Sequence, residues 1–222
     1  RPGPGRRRTP KPDGRKPFKM PKQIIDSFDG TSFNPGWTRV HGTNHTMTIS
    51  GGTLNFDISG TDNSAQSRIQ GLVTAASGED FIYEGEISDF QGTVGAAPEE
   101  YFTLLMAHNS DLSRYVYIQR MVQGAAGNVI SAFYYNGTSE VQIGSNVSTT
   151  ALPIKVRIQL TGTTVNCWYN TSGTWVSFGT TTVTASAYLC RISAQGNSID
   201  TADACSCKWS YFKRHGSNPR LP

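Results

Sequence analysis

The stretch "YEGEISD" sets Glu84 and Glu86 two residues apart, with Asp89 three further on. On an extended strand, side chains two apart share a face, roughly 7 Å from each other along the backbone. Paired carboxyl groups are what glycoside cleavage needs: one attacks the sugar or activates water, and the other protonates the leaving oxygen. Retention of configuration asks for carboxyls about 5–5.5 Å apart. Asp89 falls out of the alternation unless a bulge restores it. Chance alone puts such pairs on the outer faces of many strands. Glu84 and Glu86 are therefore expected to be solvated surface charges, and no residue is expected to be catalytic.

A second chemistry is sugar binding, which wants aromatic faces beside planar hydrogen-bonding groups. In "IKVRIQLTGTTVNCWYN", Gly162-Thr163 fits a two-residue type II′ turn with glycine first. That turn pairs Leu160 with Val165, Ile158 with Cys167 and Val156 with Tyr169, an apolar face throughout. The opposite face pairs Gln159 with Asn166 and Arg157 with Trp168, which makes these four a candidate glycan surface. Tyr115 and Tyr117 share a face of another strand, with Arg120 expected nearby, and form a second candidate. The simpler expectation for Arg157 and Trp168 is a cross-strand cation–π pair that only stabilises the sheet, by ~0.5–1 kcal/mol.

Metal and cofactor chemistry find no foothold. Cys167, Cys190, Cys205 and Cys207 show no zinc spacing, and the four histidines are scattered. The cysteines are expected to be free thiols packed as small hydrophobes. On a strand, Cys205 and Cys207 would lie about 6.5–7 Å apart, at the far limit for a disulfide. No oxygen-rich loop suggests calcium. Four glycosylation sequons, at Asn44, Asn136, Asn146 and Asn170, are close to what an Asn-, Ser- and Thr-rich chain carries by chance.

The elements that position these residues are strands. From Gln23 onward, short apolar–polar alternations are broken by turn signals about every 8–12 residues, giving about fifteen strands and a sandwich or barrel. Gly51-Gly52 turns a second hairpin, pairing Ile49 with Leu54 and Met47 with Phe56. In "YYNGTSE" a two-residue loop would set Phe133 against Glu140 and a three-residue loop against Val141; the latter is expected. No apolar run approaches the ~18 residues that span a bilayer, and no membrane partner is expected.

At this level the body, residues 23–213, resembles the concanavalin A-like, laminin-G-like jelly-roll domains. "IIDSFDG…W…MTISGGTLNFD" is similar to their opening strands. Lys155, Arg157, Gly162, Tyr169, Gly173 and Trp175 match a later hairpin, and "CKWSYF" resembles a closing strand. The resemblance implies an all-β, antiparallel jelly-roll sandwich. It also implies where chemistry would sit, because glycanases of this superfamily carry Glu-x-Asp-x-(x)-Glu on one strand as nucleophile, orienting acid and general acid/base. Glu86 departs from that pattern, as does Asp89. Such domains also serve as lectins, carbohydrate-binding modules and inert virion parts, so the fold alone does not assign function.

The first 22 residues differ from the rest. They hold nine Lys/Arg against one Asp, whereas the other 200 hold eleven against fifteen acidic residues. Pro and Gly bar a helix there, and like charges keep the arm extended. Arg6, Arg7, Arg8, Lys11, Arg15, Lys16, Lys19 and Lys22 are expected to bind a partner. Neutralising phosphates of a nucleic acid is the second choice, and a strap across a neighbouring protein subunit the first. The expectation that follows is a non-enzymatic structural protein of a virus particle, a phage, without a cofactor. It would sit on the capsid or tail surface, bound to major capsid or tail protein in a homo-oligomer, with weak glycan binding as a secondary property. The alternative is a soluble or secreted lectin-like module, with a glycanase behind it. Residues 214–222 are expected to be a tail.

Overall fold

A computed structural model describes residues 23–59, 66–92, 100–123, 127–197 and 204–216. These form sixteen strands, numbered in chain order, in two antiparallel sheets. Sheet A runs β14 (Val176–Thr182), β13 (Thr164–Asn170), β12 (Ile154–Thr161), β6 (Phe81–Gln91), β16 (Ala204–His215), β4 (Thr53–Ser59) and β3 (His45–Ser50). The short β1 (Gln23–Asp26) pairs with the far half of β16. Sheet B runs β10 (Glu140–Gln142), β9 (Gly127–Tyr135), β8 (Tyr115–Gln123), β7 (Glu100–His108), β15 (Tyr188–Asn197), β5 (Gln66–Ala75) and β2 (Thr38–Val40), with β11 (Val147–Ser148) against β9. The sheets make a jelly-roll sandwich, as the resemblance implies. The last strand reaches His215, two residues past the boundary drawn at 213. The basic arm and its eight candidate cations lie outside the described residues.

The alternation in sequence becomes the two faces of each strand. In β12, Ile154, Val156, Ile158 and Leu160 point into the core, and Lys155, Arg157 and Gln159 point out. Across the core, Tyr83 donates its hydroxyl to the Tyr188 carbonyl (2.8 Å), and Trp209 Nε1 donates to Thr103 Oγ1 (2.9 Å). Both buried aromatic polar groups are thus satisfied by the opposite sheet. The opening "D-x-F…W" also gains a physical reason. Asp26 accepts the Phe28 backbone N–H (3.0 Å) and the Trp37 indole N–H (2.7 Å). This clamp seats Phe28 and Trp37 in the core, with Trp37 edge-on to Phe212 at 5.4 Å.

Both glycine-turned hairpins take the expected register, Arg157 opposite Trp168 and Gln159 opposite Asn166 included. The third does not. Phe133 faces Gln142 across a four-residue loop, because Asn136 Oδ1 accepts the backbone N–H of both Thr138 and Ser139 and widens the turn. Arg120 also departs from expectation. It points inward, away from Tyr115 and Tyr117, over the Phe90 ring at 5.4 Å, and donates to the Thr149 carbonyl and Asn128. All four cysteines are buried and none is in a disulfide. Burial pushes the Cys167 and Cys207 thiols up, Cys207 to about 11, so they are not poised as nucleophiles.

Candidate functional site: the outer face of sheet A

β6 lies in the middle of sheet A, between β12 and β16. Register lines up Trp168, Arg157, Glu84 and Lys213 across four strands. The neighbouring row holds Asn170, Lys155, Glu86 and Tyr211. All of these face away from the core. Two offset irregularities shape the centre. Asp89 pairs with Lys208 and Ile87 with Trp209, which leaves Ser88 as an extra residue in β6; Ser210 is its counterpart in β16. The Ser88 bulge restores the broken alternation, so Asp89 shares the outer face with Glu84 and Glu86 while Ile87 and Phe90 remain in the core. Gly85, between the glutamates, faces inward onto Trp209. A Cβ there would lie 2.8 Å from a ring carbon, so glycine lets the indole pack beneath the carboxylates.

Glu84 is not a solvated surface charge. It is only 6% exposed. Arg157 donates Nε and Nη2 to its Oε2 at 3.0 and 2.6 Å, and the Tyr211 hydroxyl donates to its Oε1 at 2.9 Å. Glu86 accepts from Ser210 Oγ at 2.5 Å, with Lys155 at 3.8 Å. Asp89 pairs with Lys208 at 3.0 Å. Burial alone would raise the Asp89 carboxyl, but hydrogen bonds from Lys208 and Gln91 and the Lys208 charge outweigh it and hold it below the usual range. Burial, then the negative charge of Glu84, pushes the Tyr211 hydroxyl well up, so it stays a donor. His215, at the end of β16, is held low by burial, against the pull of Glu84.

The four residues proposed from the hairpin share one outer face, with one change in their contacts. Arg157 does not stack on Trp168; its guanidinium lies 3.9 Å over the Trp175 ring while pairing with Glu84. Trp168 is left half-buried, its indole nitrogen enclosed and without an acceptor among the described residues. Asn166 accepts from Ser177 at 2.7 Å and Gln159 lies beyond. Trp175 and Tyr211 were not singled out as site residues, although both lie in segments that carried the family resemblance. Tyr115 and Tyr117 lie on sheet B, remote from this face. A cavity of about 600 Å³ lies elsewhere again, by β2 and β3, around Phe33, Trp37, Arg39 and Met47. No carboxylate among the described residues lines it. Among the described residues no cluster of His, Cys, Asp and Glu could hold a metal ion.

No protein-family model matches the sequence, and no curated protein matches it. Solved structures do resemble it. A β-glucanase from Bacillus licheniformis superposes with a TM-score of 0.61 at 12% identity, over 89% of this chain and 98% of that one. A pseudo β-1,3-glucanase of Mycobacterium tuberculosis, an immunostimulatory antigen, gives 0.64 at 13% identity over 88% and 98%. A xylan β-1,4-xylosidase from Bacillus halodurans gives 0.64 at 13% identity, over 86% of this chain but only 38% of the enzyme. At these identities the likeness establishes the fold. It also corrects the reading of a non-enzymatic virion protein, since the similar structures are glycoside hydrolases and a relative named as a pseudo-enzyme, and a capsid or tail role finds no support among them.

Proposed function

We propose that this chain is a carbohydrate-active protein that binds a glycan on the outer face of sheet A. One observation carries the reading: the Ser88 bulge gathers Glu84, Glu86 and Asp89 on the face that also bears Trp168, Trp175 and Tyr211. The half-buried indoles of Trp168 and Trp175 offer apolar stacking area. The carboxylates and Arg157 supply planar hydrogen-bonding groups. The fold's likeness to a β-glucanase and a xylosidase favours neutral β-linked polysaccharides as first ligands to try. Binding of cello- and xylo-oligosaccharides, measured calorimetrically, should fall about tenfold or more in Trp168→Ala. Undiminished binding in that variant, or none to begin with, overturns the reading.

The same bulge favours a second reading, hydrolysis. Glu84, Glu86 and Asp89 occupy the positions of the Glu-x-Asp-x-x-Glu strand of the glycanases the sequence resembles. Glu84 would attack the anomeric carbon as the glycosidic bond breaks, and Asp89 would protonate the leaving oxygen. Water would then release the sugar, giving its proton to Asp89. Two local features work against this as the site stands. Glu84 is tied by Arg157 and Tyr211, and Asp89 must leave Lys208 before it can carry a proton. Reducing-end release from β-glucan or xylan, lost in both Glu84→Gln and Asp89→Asn, is the expected signature. Release that persists in both variants sinks this mechanism.

A further inference from the structure

The outer face of sheet B carries a different set of groups. Register sets Arg191, Met106, Tyr117 and Phe133 side by side on β15, β7, β8 and β9. In the next row His108 stands beside Tyr115 and Tyr115 beside Tyr135. Tyr117 stacks on Phe133 at 5.2 Å and Tyr115 on Tyr135 at 4.9 Å. Tyr115 and Tyr117 border a groove of about 170 Å³, with Gln66, Gln119 and Gln195 among its walls.

The groove is electrically polarised. Glu140 lines one end, its negative charge near the Tyr117 hydroxyl. Two cations stand behind the other end without lining it, Arg191 beside Met106 and Arg68 two residues from Gln66. Arg191 is 5% exposed, donates one long bond of 3.5 Å to Gln66, and leaves its Nε without an acceptor among the described residues. Arg68 of β5, two residues along the neighbouring strand, adds a second positive charge. No carboxylate among the described residues lies within ion-pair distance of either arginine. Burial, with Arg68 adding to it, pulls the Arg191 guanidinium down to about 10. His108 beside them is buried, its Nε2 without a partner among the described residues, and burial holds it neutral. A buried guanidinium without a counter-ion is costly, and an anionic ligand removes that cost.

We propose that this groove is a second glycan site, selective for sugars that carry a carboxylate. The sugar ring packs on Tyr115 and Tyr117, the glutamine amides take its hydroxyls, and the carboxylate turns toward Arg191 and Arg68. Arg191 and Tyr117 stand two strands apart, about 10 Å between backbones, with Met106 between them, so the uronate ring lies over Met106 with its carboxylate toward the guanidinium. Glu140 repels the acid from the opposite end and sets its direction. The site shares no residue with sheet A and does not rest on the reading given to that face.

Calorimetric titration of the whole chain with galacturonate and mannuronate tetrasaccharides, against neutral galactose and mannose tetrasaccharides, tests it. At least one acidic oligomer should bind about tenfold more tightly than its neutral counterpart, and Arg68→Gln and Arg191→Gln should each remove most of that margin. Arg68 is only half-buried, so its variant carries the test if Arg191→Gln does not fold. Glu84→Gln and Trp168→Ala should leave uronate binding unchanged, which separates this site from sheet A. Equal affinity for acidic and neutral sugars, no uronate binding, or binding undiminished in Arg68→Gln overturns the proposal.

Discussion

The two outer faces of the sandwich handle charge in opposite ways. On sheet A, Glu84 is buried but both its oxygens are occupied, by Arg157 and Tyr211. On sheet B, Arg191 is buried equally deeply with no counter-ion among the described residues. A satisfied buried pair contributes little net stability but is costly to break, whereas an unpaired buried charge is a cost already incurred. Equal burial therefore implies different consequences when a single arginine is removed.

The sharpest way to break the comparison is to cut each arginine to methionine. Arg157→Met strands the Glu84 carboxylate and should destabilise the fold by about 3–5 kcal/mol in denaturant melts. A loss under about 1 kcal/mol would mean that Glu84 is solvated after all. Gly85→Ala tests the packing beneath that pair. Its Cβ must displace the Trp209 ring, at a cost of roughly 1–3 kcal/mol, with the melting temperature lowered by about 2–4 °C for each kcal/mol. Arg191→Met, by contrast, should leave stability within about 1 kcal/mol of the parent or raise it, since it removes an uncompensated charge. A large loss there would reveal an anion or carboxylate already pairing with Arg191. The smallest effect is a pH slope. His108 is pushed down to about 4, chiefly by burial, so between pH 6.5 and 4 the unfolded chain takes up its proton first. Stability should fall across that window and level off below it, and His108→Gln should flatten this part of the curve.

Local patterns in the sequence carried much of the architecture. Glycine turns fixed two hairpins to the residue, because Gly162 takes φ 59° and Gly51 and Gly52 take 58° and 74°, conformations other residues avoid. The Asn136 turn misled because its side chain competes for backbone donors, which a count of loop residues does not register. The candidate site was half legible. Arg157, Gln159, Asn166 and Trp168 share a face as the alternation requires. The partners of Glu84 were not legible, because Arg157 lies 73 residues away and Tyr211 127 residues away. The role of Asp89 hung on a bulge that arises between β6 and β16, not within the stretch that contains it.

The strand β16 carries a consequence for how the molecule comes into being. It is the last strand of the body, yet it occupies the middle of sheet A, hydrogen-bonded to β6 on one side and to β4 and β1 on the other. It also brings Trp209 and Phe212 to the core and Tyr211 to Glu84. During synthesis, sheet A therefore waits as two separate halves with raw edges until residues 204–215 leave the ribosome. Closure joins segments more than a hundred residues apart, a slow class of event. Until then, both half-sheets offer unpaired edges to any other strand they meet.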